Sequence, residues 1–326
     1  MKDKYYRSKI ESEELRRLHE RSDVSGYLWL GGHFGALCIT GWIFFQCTTN
    51  GWWLSAAAVL LIHGTIFSFL GYAGASHELS HNTVFKDKGV NNFFLRITSF
   101  LVWANPVYFS RTHTIHHRNT LQHDVDIEVP TTKCIAIFKV LVTSTFDAGR
   151  LFRTIKVQCA NARGIVPGPA ADLFPPDNTE LLNQLKTVAR TILIGHFALA
   201  TFFLAIGYWQ MVFLFTLAGF IGNGLPNLLA SAQHCGMKMD TGDYRESTRT
   251  VLVNPIISFF YWNMNYHVEH HMYPGVPFYN LPRLRKLMSN DLEPATKGIL
   301  GILQAVREDQ KQRKQIGDCV LNVYEN

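Results

Sequence analysis

Eight of the fourteen histidines fall in three short groups: His77-Glu-Leu-Ser-His81, His113-Thr-Ile-His116-His117 and His267-Val-Glu-His270-His271. Imidazole offers a neutral nitrogen near physiological pH and is a frequent metal ligand. On a helix, residues i, i+3 and i+4 share a face, so each group is expected to aim its rings at one point. Eight imidazoles exceed what one first-row ion takes, and the economical count is two metals. His234, in Ser-Ala-Gln-His-Cys-Gly, is a candidate ninth ligand, and Asn227, two helical turns earlier, a candidate holder of a metal-bound water. Asp124, Asp126 and Glu128 after the second group, and Glu269 inside the third, read either as carboxylates that orient imidazoles or as surface acids. His123 falls outside the spacing and reads as a supporting or surface residue. His19, His33, His63 and His196 have no histidine neighbours and read as ordinary structural residues.

Apolar side chains make up 47% of the chain and charged ones 17%. Long uncharged runs mark a membrane protein, and a spanning helix needs about 20 residues. Four such runs, roughly 27–47, 52–75, 191–208 and 209–230, are expected to form four transmembrane helices paired as two hairpins. The hairpin tips carry no Lys or Arg, whereas the N-terminal, middle and C-terminal segments are basic. Both termini and the blocks 76–190 and 231–326 are therefore expected in the cytosol. Two shorter apolar stretches, Phe93–Phe109 and Val251–Met264, are interrupted at Asn105-Pro106 and Asn254-Pro255 and read as interfacial helices. The architecture expected is an all-α integral membrane protein whose cytosolic helical cap holds a di-metal site. It divides into an N-terminal segment 1–26 with a capping box at Ser8-x-x-Glu11, a membrane domain 27–290, and a polar helical tail 291–326. Residues Gly164–Asn178 read as a loop. The net charge of +6 is assigned to an anionic bilayer face rather than to nucleic acid, because the basic residues flank apolar runs. Six cysteines without a CxxC pair read as free thiols.

The set HELSH, HTIHH and HVEHH resembles the three histidine boxes of membrane fatty acid desaturases and their hydroxylase and ketolase relatives. The stretch Asn263–Pro277, NMNYHVEHHMYPGVP, is especially similar to the third box and its surroundings. The resemblance covers roughly residues 25–290. It implies two irons held by His77, His81, His113, His116, His117, His267, His270 and His271, with His234 similar to an additional histidine before the third box. It also implies dioxygen as co-substrate and removal of hydrogen from an unactivated carbon of a fatty acyl chain or similar membrane lipid. Hydroxylation or ketolation of a lipid, carotenoid or small metabolite is the alternative outcome. No His-Pro-Gly-Gly segment is present, so electrons are expected from a separate ferredoxin or cytochrome b5 system.

Two rivals come from other classes. His77-Glu78-Leu-Ser-His81 also satisfies HExxH, in which two histidines bind zinc and the glutamate is a general base, the pattern of an intramembrane zinc protease. That reading leaves two histidine groups unused. A metal transporter would place ionisable ligands inside its spanning helices, whereas these groups lie beyond the predicted helix ends.

Overall fold

The computed structural model describes residues 5–129 and 136–316, and the chain is mostly helical. In order come α1 (Ser12–Leu18), α2 (Asp23–Thr49), α3 (Trp53–Ser68), α4 (Ala75–Ser80), α5 (Lys88–Leu101), α6 (Pro106–Arg118), α7 (Ile137–Thr143), α8 (Ala148–Asn161) and α9 (Thr179–Ala205). They are followed by α10 (Trp209–Met211), α11 (Gly224–Ala232), α12 (Tyr244–Ser247), α13 (Pro255–Phe260), α14 (His267–Met272), α15 (Leu281–Leu287) and α16 (Gly298–Ile316). A two-residue parallel pairing joins β1 (Val251–Leu252) to β2 (Thr296–Lys297).

Among the described residues, α2 and α9 are the two helices long and apolar enough to cross a membrane, and α3 is a shorter apolar helix. Leu54 is 87% exposed and Phe197 74%, surface that lipid rather than water would favour. The first apolar pair forms a helical hairpin through Asn50–Trp52, with Gly51 at φ +72°. The third run is longer than its apolar window. α9 starts at Thr179 because Asn178 caps it, its Oδ1 accepting from the Leu181 amide at 3.1 Å. Glu180, Lys186 and Arg190 end the uncharged stretch without ending the helix.

The stretch 209–230, expected as one continuous helix, is broken. It runs as α10, a π-turn over Val212–Thr216, a 3-10 turn over Ala218–Phe220, and then α11. The breakers stand in the sequence as Gly219, Gly222, Gly224 and Pro226. A break frees carbonyls that an apolar setting leaves without water, and each must find an internal donor. His63 Nε2 donates to the Leu214 carbonyl at 3.1 Å, Trp103 Nε1 to Thr216 at 2.8 Å, and Thr65 Oγ1 to Gly222 at 2.9 Å. Gly222 sits at φ +70°, and a Cβ there would lie 2.5 Å from the Leu61 carbonyl.

The isolated histidines are structural, as expected. His33 donates from Nε2 to the Ile66 carbonyl at 2.9 Å and accepts from Trp262 Nε1 at 3.1 Å, tying α2, α3 and the turn before α14 together. His196 donates to the Phe100 carbonyl at 2.8 Å, its ring stacked on Phe100 and Trp103. His19 and His123 are exposed. The two interrupted stretches break where Asn-Pro predicts: Asn105 and Asn254 cap α6 and α13, with Pro106 and Pro255 in their first turns.

Two local expectations fail. Ser8 does not cap a helix. It is buried, and its hydroxyl donates to Asp291 at 2.5 Å, while α1 begins later at Ser12. The bond to a distant carboxylate turns the hydroxyl away from the local amides it would have accepted from. Cys235 is disulfide-bonded rather than free, whereas Cys38, Cys47 and Cys159 are free thiols. The tail helix starts at Gly298 and buries Ile302 and Val306 against Leu228 and Leu229 of α11.

The close approach of α3 to the broken segment yields a test. A Cβ at Gly64 would stand 2.5 Å from the Ile221 carbonyl, whereas Gly31 on α2 has nothing within 4 Å. Gly64→Ala is expected to cost about 1–3 kcal/mol by overpacking, read as a lower thermal midpoint in detergent. Gly31→Ala should match or slightly exceed the parent.

Candidate metal centre

Each histidine box is carried by a short helix with a defined start. α4 holds His77 and ends with His81 as its C-cap. α6 is opened by Asn105 and carries His113, His116 and His117 in its last two turns. α14 begins at His267 after a turn in which Trp262 and Asn263 both have φ +52°. Consecutive left-handed non-glycine residues cost on the order of 1–3 kcal/mol each. The turn is held by Asn263, which donates from Nδ2 to the Phe278 carbonyl at 3.1 Å, and by the Trp262–His33 hydrogen bond.

Nine imidazoles converge, and they are the nine singled out by the sequence. Among the described residues two groups could each hold a metal ion: His77, His81, His113, His117 and His270, and His116, His234, His267 and His271. Within each group the ligand atoms lie within 4.8 Å of one another. The division does not follow the boxes, which corrects the expectation that each box serves one point. The i,i+4 pairs stay together: His77 with His81, His113 with His117, and His267 with His271. The i+3 members, His116 and His270, cross to the other group. Successive helix positions differ by about 100°, so neighbours such as His116 and His117 cannot face the same ion. The groups abut, with the rings of His117 and His271 stacked at 4.4 Å.

Around these rings lies a set of hydrogen-bond acceptors. His116 Nδ1 meets Asp126 Oδ2 at 2.8 Å, His113 Nδ1 meets both Glu128 oxygens at 3.1 Å, and His77 Nδ1 meets Glu78 Oε1 at 3.0 Å. His234 Nδ1 donates to the Ser247 carbonyl at 3.0 Å. Thr120 gives its proton to the His116 carbonyl at 2.8 Å and so accepts from His271 Nδ1 at 3.1 Å. These partners place the proton on Nδ1 and leave Nε2 as a bare lone pair. The Nε2 atoms nevertheless face one another: His81–His113 3.2 Å, His113–His117 3.0 Å, His117–His270 3.2 Å, His234–His267 3.0 Å and His267–His271 3.0 Å. His117, His267 and His270 have no acceptor at Nδ1, so in four of these contacts one ring is free to carry its proton on Nε2 and donate to the other. Two nitrogens bound about 2.1 Å from one ion at right angles are themselves about 3 Å apart, so the arrangement fits a cation in each group. Nitrogen donors of this kind suit iron, zinc or copper.

Electrostatics agree with neutral ligands. Burial pulls His77, His113, His117, His267, His270 and His271 well below the ordinary imidazole value, His81 to about 4 and His234 to about 3. His116 differs: burial works against its charged form, but the hydrogen bond it donates to Asp126 and the charge of Glu128 carry it above the usual value. Burial pushes Glu128 up to about 7.

The carboxylates sort themselves. Asp126 is buried and fixed through both oxygens, accepting also from the amides of Leu121, Glu128 and Val129. Asp124, its candidate companion, is 87% exposed and pairs only with exposed His123, because its left-handed turn (φ +58°) swings it outward. Glu269 is buried but holds Thr250 and Arg285 rather than an imidazole. Residue i+2 of a box points away from the face its histidines share. Asn227 lies half-buried on α11, two turns before His234, and joins none of the described hydrogen bonds of the site. Glu78 was legible only as a protease base. It is fully buried against His77 and lies 3.6 Å from His270 Nδ1. The HExxH pair supplies only two of five clustered imidazoles, and Glu78 faces ring nitrogens rather than an open coordination position. Thr120 and Ser247 carried no signal at all, being remote in sequence from the rings they orient.

A cleft of about 280 Å³ opens on His81, His113, His117 and His271, bordered by Arg7, Ser80, Ser110, Thr114, Arg118 and Tyr244. His81 and His117 are the two members of the set that are only partly buried.

The fatty acid desaturase family model matches residues 50–299. A putative sphingolipid delta(4)-desaturase/C4-monooxygenase of Caenorhabditis elegans is 28% identical over 223 residues, covering 65% of this chain and 53% of that protein. The human sphingolipid delta(4)-desaturase/C4-monooxygenase DES2 is 27% identical over 225 residues, covering 65% of this chain and 60% of the relative. The Xenopus tropicalis sphingolipid delta(4)-desaturase DES1 is 26% identical, covering 68% of this chain and 63% of the relative. The chain thus spans between half and two thirds of the length of these relatives.

Asp126→Asn is expected to weaken metal retention about 10–100-fold, the usual effect of losing a hydrogen bond behind a ligand, read as the rate at which a chelator strips metal. Asp124→Asn should strip at the parental rate. Equal behaviour of the two variants would detach Asp126 from the centre.

Proposed function

Because the chain belongs to the fatty acid desaturase family, we propose that it is a membrane oxidoreductase that introduces a double bond into a lipid chain in a reaction using dioxygen. The observation that carries this reading is the partition of nine imidazoles into two adjoining groups. His77, His81, His113, His117 and His270 would hold one iron, and His116, His234, His267 and His271 the other. Two irons, when bound, supply the oxidising power to take hydrogen from an unactivated carbon.

The remaining work belongs to the chain itself. Asp126, Glu128, Glu78, Thr120 and the Ser247 carbonyl hold protons on Nδ1 and turn Nε2 inward. The buried rings of the second group keep bulk water away from it. Asn227 would steady a metal-bound water from α11. The cleft beside His81 and His117 has a polar, cationic border at Arg7 and Arg118, which suits a lipid whose polar head lies close to the reacting carbon. A sphingoid base altered at its fourth carbon, as the relatives' names describe, has that shape.

Hydroxylation at the same carbon is the second reading. It is favoured by relatives named both desaturase and C4-monooxygenase, since the two outcomes differ only in how the carbon is held after its first hydrogen leaves. The proposed topology has four crossings: α2, α3, α9 and the broken segment that ends in α11. It places both termini and the histidine cap in the cytosol, where a separate ferredoxin or cytochrome b5 system would deliver electrons. The domain division stays as proposed, with a membrane unit over 27–290 flanked by 1–26 and 291–326.

Protein purified in mild detergent should hold two irons per chain, one for each group, by elemental analysis and Mössbauer spectroscopy of iron-57 material. His267→Ala and His270→Ala should each lower iron toward one. One zinc and no iron would end the reading. Expression in a host lacking its own sphingolipid desaturase, fed a saturated sphingoid lipid, should yield a double bond or hydroxyl at the fourth carbon. An unchanged lipid profile from iron-loaded protein would rule out this substrate class.

A further inference from the structure

Helices α7 and α8 carry none of the nine clustered histidines, yet they expose a run of large apolar side chains. Phe138 is 77% exposed and Phe152 70%, with Ile137, Leu141, Val142, Phe146 and Val157 also exposed. Water disfavours such a surface, and its size marks an interaction site. Its depth in the fold is fixed by packing. Leu151 and Ile155 of α8 pack with Ile192, Val188 and Leu193 of α9, and Arg190 Nε donates to the Ala162 carbonyl at 3.0 Å. Arg190 is the last charge before the uncharged part of α9, so α8 lies at the level where that helix enters its apolar stretch. The exposed residues of α8 are therefore continuous with the lipid-facing side of α9, where Ile194 and Phe197 are exposed.

The same two helices are strongly cationic. Between residues 136 and 163 stand Lys139, Arg150, Arg153, Lys156 and Arg163 against a single acid, Asp147. Asp147 Oδ1 is committed to the Arg150 amide at the start of α8. Arg150 lies over the Phe220 ring and donates to Asn223, anchoring the helix, while Arg153 and Lys156 are exposed beside Phe152 and Val157. Burial holds Lys139 and Arg150 below their ordinary values, with Arg153 adding to the lowering and Asp147 opposing it. Apolar side chains interleaved with Lys and Arg on one exposed face are the pattern of a helix lying in the plane of a bilayer surface.

We propose that the α7–α8 hairpin lies in the membrane surface and binds anionic phospholipid, with Arg153 and Lys156 contacting the lipid phosphate and Phe138, Leu141 and Phe152 seated among the acyl chains. The inference rests on reading α9 as a spanning helix, and it is independent of the reaction performed. Removing one cation near an anionic surface should weaken attraction about five-fold. Reversing two should abolish any preference for anionic lipid.

The test uses the full chain, purified in mild detergent, with its thermal midpoint followed on adding phosphatidylglycerol, phosphatidylcholine or inorganic phosphate. Phosphatidylglycerol should raise the midpoint and the other two should not. The double variant Arg153→Glu/Lys156→Glu, both exposed and outside the histidine centre, should keep the lipid-free midpoint and lose the response. Arg153→Gln serves if the double variant fails to fold, and should need about five-fold more phosphatidylglycerol for the same shift. Equal effects of phosphatidylcholine and phosphatidylglycerol, a parental response from either variant, or the full shift with phosphate alone would overturn the proposal. Release of the protein from membranes by alkaline carbonate would overturn the spanning reading beneath it. Carbonate-resistant protein without lipid preference would overturn only the proposal.

Discussion

Nine ring nitrogens turned toward one another, several only 3.0–3.2 Å apart, are the constraint on which this structure depends. Five rings, His77, His113, His116, His234 and His271, have their Nδ1 protons committed to outer partners, which leaves their Nε2 lone pairs turned inward. Burial also opposes protonation, since all but His116 are held below the ordinary value. Inward lone pairs on neutral, buried rings are what a cation in each group would use. Each supporting feature reduces the freedom of a ring. Asp126 is pinned by three backbone amides before it meets His116, and Thr120 spends its own proton on the His116 carbonyl so that it can only accept from His271.

The need to bring His234 beside His116, His267 and His271 also accounts for the broken stretch between α9 and the cap. A continuous helix from Trp209 would carry its end straight onward. The π-turn, the 3-10 turn and Gly222 instead redirect the chain into α11, at whose end His234 stands. The carbonyls freed by these turns would be costly in an apolar setting, and His63, Trp103 and Thr65 satisfy them from neighbouring elements. His63 thus supports the path of the chain toward His234 as a backbone partner, outside both histidine groups.

Much of the local structure could be read from residues alone. Asn105-Pro106 and Asn254-Pro255 mark helix starts because asparagine caps amides and proline tolerates the first turn. Ser8-x-x-Glu11 satisfies the same kind of local rule and fails, because Asp291, far away in the chain, takes the hydroxyl proton and turns the side chain away from the amides it would cap. Apolar run length located the bodies of α2 and α9, yet it misjudged the start of α9 and smoothed over the glycines of 219–224, since hydropathy averages ignore caps and backbone geometry. The carboxylates divided in the same way: Asp126 and Asp124 are two residues apart in one acidic segment, and the turn between them buries one and exposes the other.

For the centre itself, residue types and the helical period by themselves singled out His77, His81, His113, His116, His117, His267, His270 and His271, with His234 as a candidate ninth. Histidines at i, i+3 and i+4 can share a helix face, and their types survive any arrangement of the chain. Only the tertiary structure decided which nitrogen faces which. Helix geometry keeps i and i+4 together and turns i+3 aside, but the angle between α4, α6, α14 and the end of α11 determines where each ring meets a partner. That angle comes from packing between segments separated by up to 190 residues, and no local pattern encodes it.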